Sequence, residues 1–208
     1  SPALIIAKKQ TAGKGRRGRQ FYSPQGTGLY MSYISDQRYK PSQLPTIIMK
    51  TAVALKMSIK TCFNIDCDIK WLNDIYYKDL KVAGILVEGT LNSSSPYYEQ
   101  LIIGVGLNLQ TDIIPESLQN IMGSLDLNHF DLYHLIAEWI YLFNTLDDQT
   151  VSIEYQKDNY TLNKTAILYN DEQKYKVIKI NNDGSINIVD EYNNQQTVHF
   201  ETVESIQL

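Results

Sequence analysis

The sequence has few of the residues that build metal sites, disulfide frameworks or membrane spans. Its two cysteines, Cys62 and Cys67, lie close together without a nearby pair of histidines, so neither a zinc site nor a disulfide framework is indicated. There is no run of about 18 apolar residues, and the apolar patch at residues 1–7 is too short and too poorly flanked for a signal peptide. These absences favour a cytoplasmic globular protein with buried thiols.

Positive charge is also scarce, with 19 Lys and Arg against 23 Asp and Glu and a formal net charge of -4. Nucleic-acid binders depend on many basic contacts to phosphate, so this balance argues against such a partner. Internal repeats and low-complexity linkers are lacking too. At 208 residues with 43% hydrophobic content, the chain can bury the core of one ordinary domain and a small second one.

One stretch departs from this acidic background: residues 13–19 combine three glycines with four cations. Glycine lets backbone N–H groups approach a ligand closely, and arginine presents a planar fork of donors that matches phosphate or carboxylate. We therefore predict a mobile loop that binds a small anion such as a nucleotide phosphate. A solvated basic turn without a ligand is the alternative.

The same stretch also fits the pattern G-x-G-x-x-G of dinucleotide-binding sites. That fingerprint requires a helix directly after the glycines and an acidic residue about 20 positions further on. Residues 20–26 read as a loop instead. A Rossmann site is therefore not expected.

Hydrophobic periodicity predicts an α+β fold, with a mixed sheet flanked by helices. Strands are predicted at 3–8, 28–34, 81–88 and 97–109, and on both sides of an Asn73-Asp74 turn within 68–77. Helices are predicted from Pro41 to Ile59, over 132–146 and over 151–160, with His129 and His134 as ordinary residues on or near the second. If strand 3–8 is buried, residues before it must cover it or pair with it.

The texture becomes β-rich from residue 163, with strands predicted at 166–169, 174–180, 186–190 and 196–200. We therefore divide the chain into domains 1–162 and 163–208.

Lys81 begins an apolar strand, where a cation is held more rigidly than on a loop. Such a cation suits a carboxylate that becomes an acyl phosphate. A solvated strand end is the alternative for Lys81. Asn108 is either a turn residue or a ligand contact, after strand glycines that indicate close approach of a ligand.

Four segments, in this order, resemble the biotin protein ligases, also called biotin–[acetyl-CoA-carboxylase] ligases. They are Gln-Thr-Ala-Gly-Lys-Gly-Arg-Arg-Gly-Arg-Gln-Phe (10–21), Lys-Trp-Leu-Asn-Asp (70–74), Lys-Val-Ala-Gly-Ile-Leu-Val-Glu (81–88) and Gly-Val-Gly-Leu-Asn (104–108). With the β-rich tail, the resemblance covers nearly the whole chain. It implies a class II synthetase-like catalytic domain and a C-terminal SH3-like β-barrel, without a DNA-binding domain.

The resemblance implies an enzyme that converts biotin and ATP, with Mg²⁺, to biotinyl-5′-adenylate and pyrophosphate. The biotinyl group then passes to one lysine of a biotin carboxyl carrier domain. No metal ligand from the chain, no nucleic acid and no membrane partner is implied. The carrier is expected to meet a strand edge beside residues 97–107, and the same edge could pair two copies into a homodimer.

The resemblance also implies residue roles. Gln10 would hydrogen-bond the ureido ring of biotin, Arg16 would retain the adenylate, and Lys81 would hold the biotin carboxylate. Lys70 and Asp74 would support the reacting centre. Further loop residues expected to line biotin and adenylate are Gly13, Lys14, Gly15, Arg17 and Arg19, the last two at phosphates. The other expected binding residues are Phe21, Asn73, Gly84 and Asn108.

This chain departs from the family pattern at a few positions. Lys14 stands in place of the commoner arginine, Leu72 in place of proline, and Phe21 in place of a tryptophan that packs on adenine. The Ser/Thr-Thr-Asn segment expected upstream of Gln10 does not occur, so the N-terminal part of the domain is expected to be missing. A lipoate-protein ligase, or a catalytically impaired module that binds biotin or the carrier, is the alternative.

Overall fold

The computed structural model describes residues 1–91, 94–111, 113–157 and 159–207. The larger sheet has six strands, β1 Ala3–Ala7, β2 Gly28–Ser35, β3 Asp68–Lys70, β4 Asp74–Tyr77, β5 Leu80–Leu91 and β6 Tyr98–Asn108. The α-helices are α1 Leu44–Phe63, α2 Leu132–Thr145 and α3 Asp148–Gln156, and short 3-10 helices span Arg16–Gly18, Pro41–Gln43 and Glu116–Leu118. The smaller sheet contains β7 Thr165–Leu168, β8 Lys174–Ile180, β9 Ile186–Val189, β10 Gln195–Val198 and β11 Val203–Gln207.

The predicted α+β class is confirmed, and all the paired strands run antiparallel where a mixed sheet was expected. The larger sheet has the order β1-β2-β6-β5-β4-β3, and each neighbouring pair is antiparallel. Parallel pairing occurs at an isolated bridge between Lys81 and Met122. Among the described residues, no helix is both long enough and apolar enough to cross a membrane.

The edges of the larger sheet differ from expectation in two ways. The expected docking edge beside residues 97–107 is wrong, because β6 is paired on one side with β2 and on the other with β5. The first strand, β1, is an exposed edge strand, with Ile5 58% exposed. Within the described residues, another open edge lies on β5 after Ile85, since β4 pairs with that strand only as far as Gly84 and Asn73 bonds to Ile85.

Alternation along the strands directs one face of the larger sheet towards the helices. Leu29, Met31 and Tyr33 of β2 are buried in the core. The ring of Tyr33 meets the Trp139 ring of α2 at 5.8 Å. Helix α1 forms because its apolar residues recur every three to four positions, and it ends at Asn64, which has a left-handed φ of 54°. Each large side chain buried in this way contributes about 1.5–3 kcal/mol.

The predicted third helix is shifted towards the N-terminus. Asp147 accepts a hydrogen bond from Thr150 N and caps the helix at residue 148, so α3 begins before the predicted position. Asp158, which falls within the prediction, lies outside the described residues. The cysteines are free thiols: Cys67 is buried, which raises its pKa to about 12, and Cys62 is half-buried.

The smaller sheet begins just after the predicted boundary at residue 163 and has the order β10-β9-β8-β7-β11. Its fifth strand, β11, was not predicted from the sequence. The SH3-like barrel stays a prediction. No α-helix follows the glycines of the basic loop, which contains the 3-10 turn Arg16–Gly18. This agrees with the expectation that the loop is not a dinucleotide-binding site.

The smaller sheet and α3 both support the turn at residues 70–74. Trp71 Nε1 donates to the carbonyl oxygen of Gly184 at 2.8 Å, and Tyr155 Oη donates to that of Leu72 at 2.8 Å. The Trp71–Leu72 peptide bond is cis. Residues that the larger sheet carries at its edge are thus held in place by the C-terminal half of the chain.

The substitution Gly184→Ala tests this packing. Gly184 has a φ of 83°, and a Cβ there would lie 2.6 Å from Pro45 of α1. Gly26 is a matched control, since it has a φ of 73° with nothing within 4 Å of its Cβ position. We expect Gly26→Ala to lower the free energy of unfolding by about 1–2 kcal/mol, and Gly184→Ala by about 1–3 kcal/mol more. Urea unfolding followed by circular dichroism measures both, and equal losses would contradict close packing of this turn on α1.

Candidate functional site

A cavity of about 1120 Å³ opens over the larger sheet. Its floor contains Gly106, Gly84 and Asp74, which lie in one cross-strand row that continues to the buried Tyr30. The two central glycines leave space above the strands, because no side chain rises from them. Part of that space holds the ring of Phe21, which a Cβ on Gly106 would approach to 2.5 Å.

The glycine-rich loop is folded as a short hairpin beside this floor. Gly15 N donates to the carbonyl oxygen of Arg19 at 2.7 Å, and Phe21 N donates to that of Gly13 at 2.9 Å. Gly13 is buried, and a Cβ there would lie 2.4 Å from the Phe21 carbonyl oxygen. This position therefore requires glycine.

Gln10 lines the cavity at the start of the loop. Ser23 Oγ donates to Gln10 Oε1 at 2.7 Å, and Gln10 N donates to the Ser23 carbonyl oxygen at 3.2 Å. Ser23 thus orients the amide that the sequence predicted as a ligand contact. Sequence reasoning missed Ser23, since a buried serine in a loop carries no signal until the loop is folded back on the strand.

Lys81 and Asp74 form an ion pair at one wall. Lys81 lies near the start of β5, and its Nζ is 2.6 Å from Asp74 Oδ1 on β4. The side chains are 27% and 22% exposed, so water screens this pair less than a surface ion pair. The structure therefore brings together the two residues that the sequence predicted at the reacting centre.

Lys70 lies beside this pair. Its Nζ is 3.4 Å from Tyr76 Oη and 5.2 Å from the centre of the Tyr76 ring. Burial lowers the pKa of Lys70, the nearby Asp74 raises it, and Lys81 and Arg19 lower it further. A partly desolvated ammonium group of this kind gains more from a bound anion than a fully hydrated one.

Arg16 spans the cavity between the two halves of the chain. Its Nη1 donates to Asn73 Oδ1 at 3.1 Å, and Asn73 Nδ2 in turn donates to the Ile85 carbonyl oxygen at 2.8 Å. Its guanidinium lies 5.2 Å from the centre of the Phe200 ring. Burial lowers the pKa of Arg16, and the charge of Arg17 lowers it further, although a guanidinium stays protonated in proteins.

The remaining cations of the loop occupy different positions. Lys14 and Arg19 line the cavity. Arg17 also lines it, but three of its N–H···O bonds go to the smaller sheet, with acceptors on Phe200, Val203 and Glu204. The predicted phosphate contacts of Arg17 and Arg19 stay predictions, and for Arg17 the donors are largely engaged by protein.

The cavity also carries an unsatisfied acceptor close to Lys81, whose carbonyl oxygen accepts from Gly123 N at 2.9 Å. Asn108 is buried, its Nδ2 donates to the Gly123 carbonyl oxygen at 3.1 Å, and its Oδ1 has no partner within the described chain. A buried acceptor without a partner is unfavourable. A ligand N–H group that reaches Asn108 Oδ1 would satisfy this acceptor.

Two lining segments escaped sequence reasoning. The first is the stretch after β6, with Leu118, Ile121 and Met122, which is joined to β5 by a hydrogen bond from Lys81 N to the Ile121 carbonyl oxygen at 3.1 Å. The second is residues 203–206 of β11. Apolar residues in a predicted loop were the available signal for the first segment, whereas the second had none.

The arrangement is suited to binding and aligning anions. Three cations, Lys70, Lys81 and Arg16, converge with one carboxylate beside a glycine floor. The unpartnered acceptor Asn108 Oδ1 belongs to the same cavity. Within the described part of the chain, no three His, Cys, Asp or Glu side chains are grouped to hold a metal ion.

Comparisons with known proteins agree with this description. Residues 1–108 match the family model described as the biotin/lipoate A/B protein ligase family. The bifunctional ligase/repressor BirA of Bacillus spizizenii is 37% identical over 124 residues, which are 59% of this chain and 38% of that protein. The human biotin–protein ligase is 38% identical over 112 residues, 51% of this chain and 15% of that protein. This chain therefore spans well under half the length of these relatives.

A solved structure extends the likeness to the C-terminal half. The biotin protein ligase from Aquifex aeolicus in complex with biotin and ATP has a TM-score of 0.77, and the match covers 98% of this chain and 88% of that one. Sequence identity over this match is 22%. At that identity the likeness shows the fold.

The substitution Gly106→Ala tests the packing of Phe21 on the floor. The new methyl group would displace the ring, and an overpacked site loses about 1–3 kcal/mol. We expect amide hydrogens of residues 13–21 to exchange about tenfold faster in the ligand-free protein. Gly104→Ala is the control, because its Cβ would lie 3.3 Å from the Leu86 carbonyl oxygen and no atom of Phe21 lies within 4 Å. Equal exchange in the two variants would contradict this placement of Phe21.

Proposed function

Because the chain belongs to the biotin/lipoate A/B protein ligase family, we propose that it is a biotin protein ligase acting in the cytoplasm. It would activate biotin with ATP to biotinyl-5′-adenylate and transfer the biotinyl group to a lysine of a carrier domain. Magnesium would enter with the nucleotide as part of that substrate. The single observation that carries this proposal is the position of Lys81, fixed on β5 and lining one cavity together with Arg16 and Lys70.

The first half-reaction brings together two anions, the carboxylate of biotin and the α-phosphate of ATP. Cations fixed on strands and turns reduce the repulsion between them and stabilise the charge that develops during the transfer. Lys81 would exchange its partner Asp74 for the biotin carboxylate, since both acceptors are carboxylates. Lys70 would face the phosphate that receives the attack. Gln10, oriented by Ser23, would hold the ureido ring.

The nucleotide would extend towards Asn108. The unpaired Oδ1 of Asn108 can accept a hydrogen bond from the exocyclic amine of adenine, and the apolar stretch from Leu118 to Met122 can cover the base. Phe21 packs on the glycine floor of the cavity, against Gly106. Its predicted stacking on adenine would therefore require the ring to leave Gly106.

The partner would be a carrier domain of a biotin-dependent carboxylase. We propose that it meets the open edge of β5 after Ile85, because Leu86 and Glu88 of this strand line the cavity and the edge continues to Leu91. An extended segment could add there as another strand. A second copy of this chain could use the same edge to form a homodimer.

An adenylation assay separates this function from its rivals. Pyrophosphate release that depends on biotin supports the ligase, and release that depends on lipoate supports a lipoate-protein ligase. A lipoate-protein ligase would share the Lys-x-Asn-Asp turn at residues 70–74, but an Arg-Arg-x-x-Gly-Gly-Gly stretch is expected of it and this loop lacks one. Binding of biotin without turnover would support the impaired module.

The substitution Lys81→Ala tests the central role. We expect biotin-dependent pyrophosphate release to fall by about 10²–10³-fold, because the ammonium meets charge that grows in the transition state. The circular dichroism spectrum should stay unchanged. Lys78→Ala is the matched control, since Lys78 is exposed on the same hairpin and its partner is Asp126 at 4.0 Å. Retained turnover in Lys81→Ala would contradict the assignment.

The substitution Arg16→Gly tests retention of the intermediate. It removes the hydrogen bond to Asn73 and the contact with Phe200, and a lost bond from a charged donor is worth about 1.5–3 kcal/mol. We expect the adenylate to escape at least about tenfold faster, seen as biotin on lysines of an added bystander protein. Arg38→Gly is the control at an exposed arginine, and equal bystander labelling in both variants would refute the role.

A further inference from the structure

The tip of the glycine-rich loop has an unusual backbone for the residue it carries. Arg17 has a φ of 58° and Gly18 a φ of 72°, so two successive residues are left-handed. A residue with a Cβ adopts this conformation only where other contacts hold it. The contacts of Arg17 therefore decide whether the loop keeps this shape.

Among the described residues, the side chain of Arg17 contacts one surface formed by the smaller sheet and its adjoining turns. We call this surface the rim: Tyr169, Phe200, Val203 and Glu204. Arg17 Nη1 donates to the Glu204 carbonyl oxygen at 3.1 Å. Arg17 Nη2 donates to the carbonyl oxygens of Phe200 and Val203, at 3.2 and 2.9 Å. Its guanidinium carbon lies 4.5 Å from the centre of the Tyr169 ring. Both ends of the fork and its flat face are thus occupied.

The rim offers these acceptors because of its place in the sheet. Strand β11 is an edge strand, paired on one side with β7. Its register with β7 shifts between Val203 and Ser205, which is the signature of a β-bulge at Glu204. A bulge at an edge re-aims carbonyl groups that no neighbouring strand satisfies. A guanidinium, with donors spread in a plane, can cap several of them at once.

The rim is also held by hydrogen bonds that do not involve Arg17. Tyr169 N donates to the Thr202 carbonyl oxygen at 3.0 Å, and Thr202 Oγ1 donates to that of His199 at 2.8 Å. The turn between β10 and β11 is therefore held against the end of β7. A rigid acceptor surface lets the loop bind without ordering the surface as well.

Two successive arginines then connect the loop to both halves of the chain. Arg16 donates to Asn73 in the turn of the larger sheet, and Arg17 donates to the rim. We propose that Arg17 is a positioning residue, which holds the ligand loop closed by binding the rim of the smaller sheet and so limits escape of the activated ligand. The retention of an activated ligand rests on the proposed function. The anchoring of the loop by Arg17 does not depend on that function.

Hydrogen exchange of the ligand-free protein tests the anchoring directly. We expect Arg17→Ala and Tyr169→Ala to speed amide exchange of residues 13–21. The double variant should exceed Arg17→Ala by less than the effect of Tyr169→Ala alone, because the two side chains are in contact. Arg17→Lys should not restore the wild-type rates, since a lysine lacks the planar fork. Arg38→Ala is the control at an exposed arginine outside the cavity. Wild-type rates in Arg17→Ala and Tyr169→Ala, or in Arg17→Lys, would overturn the proposal.

Turnover measurements then distinguish positioning from a phosphate contact. If Arg17 positions the loop, Arg17→Ala should raise the KM for biotin and the labelling of bystander lysines severalfold, while kcat for pyrophosphate release changes less than about twofold. A phosphate contact would instead raise the KM for ATP, be rescued in part by Arg17→Lys, and leave ligand-free exchange unchanged, which refutes the anchor. If the wild-type protein shows no biotin-dependent turnover, the proposed function fails, and the exchange result still decides the anchor.

Discussion

One carboxylate, that of Asp74, faces the three cations on which the cavity depends. It pairs with Lys81 at 2.6 Å, and its charge raises the pKa of both Lys70 and Arg16 against the lowering by burial. Without it, partly buried like charges would repel one another and the turn that carries them would be less stable. Under the proposed function, an anionic substrate would replace this carboxylate at Lys81, because it offers an equivalent acceptor.

The cavity has room for a ligand because two central strands, β5 and β6, carry glycine at a paired position. Glycine weakens a strand, since it has nothing to pack and loses more conformational freedom on folding. Strands β5 and β6 tolerate Gly84 and Gly106 because both are long, at 12 and 11 residues, and are anchored by buried residues on the opposite face. Phe21 partly fills the resulting space. The surface above these glycines can therefore be covered either by Phe21 of the loop or by a ligand.

The C-terminal sheet is part of the site as well as a neighbour to it. Its turn at Gly184 accepts a hydrogen bond from Trp71, which lies between Lys70 and the Asn73-Asp74 pair. Its edge strand β11 accepts from Arg17 and lines the cavity. The loop and the turn, brought together by Arg16 and Asn73, are therefore both supported by one sheet. Substitutions in that sheet should therefore alter the positions of the loop and of the turn at residues 70–74, even where the substituted residue contacts no ligand.

The amino-acid sequence determined the α+β class, most of the strands and helices, and the set of charged and glycine-rich segments that meet in the cavity. These follow from local rules, since periodicity, glycine and clustered cations act over a few residues. Only the tertiary structure decided that β6 is central, that β11 exists, and that Arg17 faces a row of carbonyls. Pairing between distant strands and the exposure of backbone acceptors have no side-chain signature, because every residue carries the same carbonyl and only the assembled sheet leaves some of them unpaired.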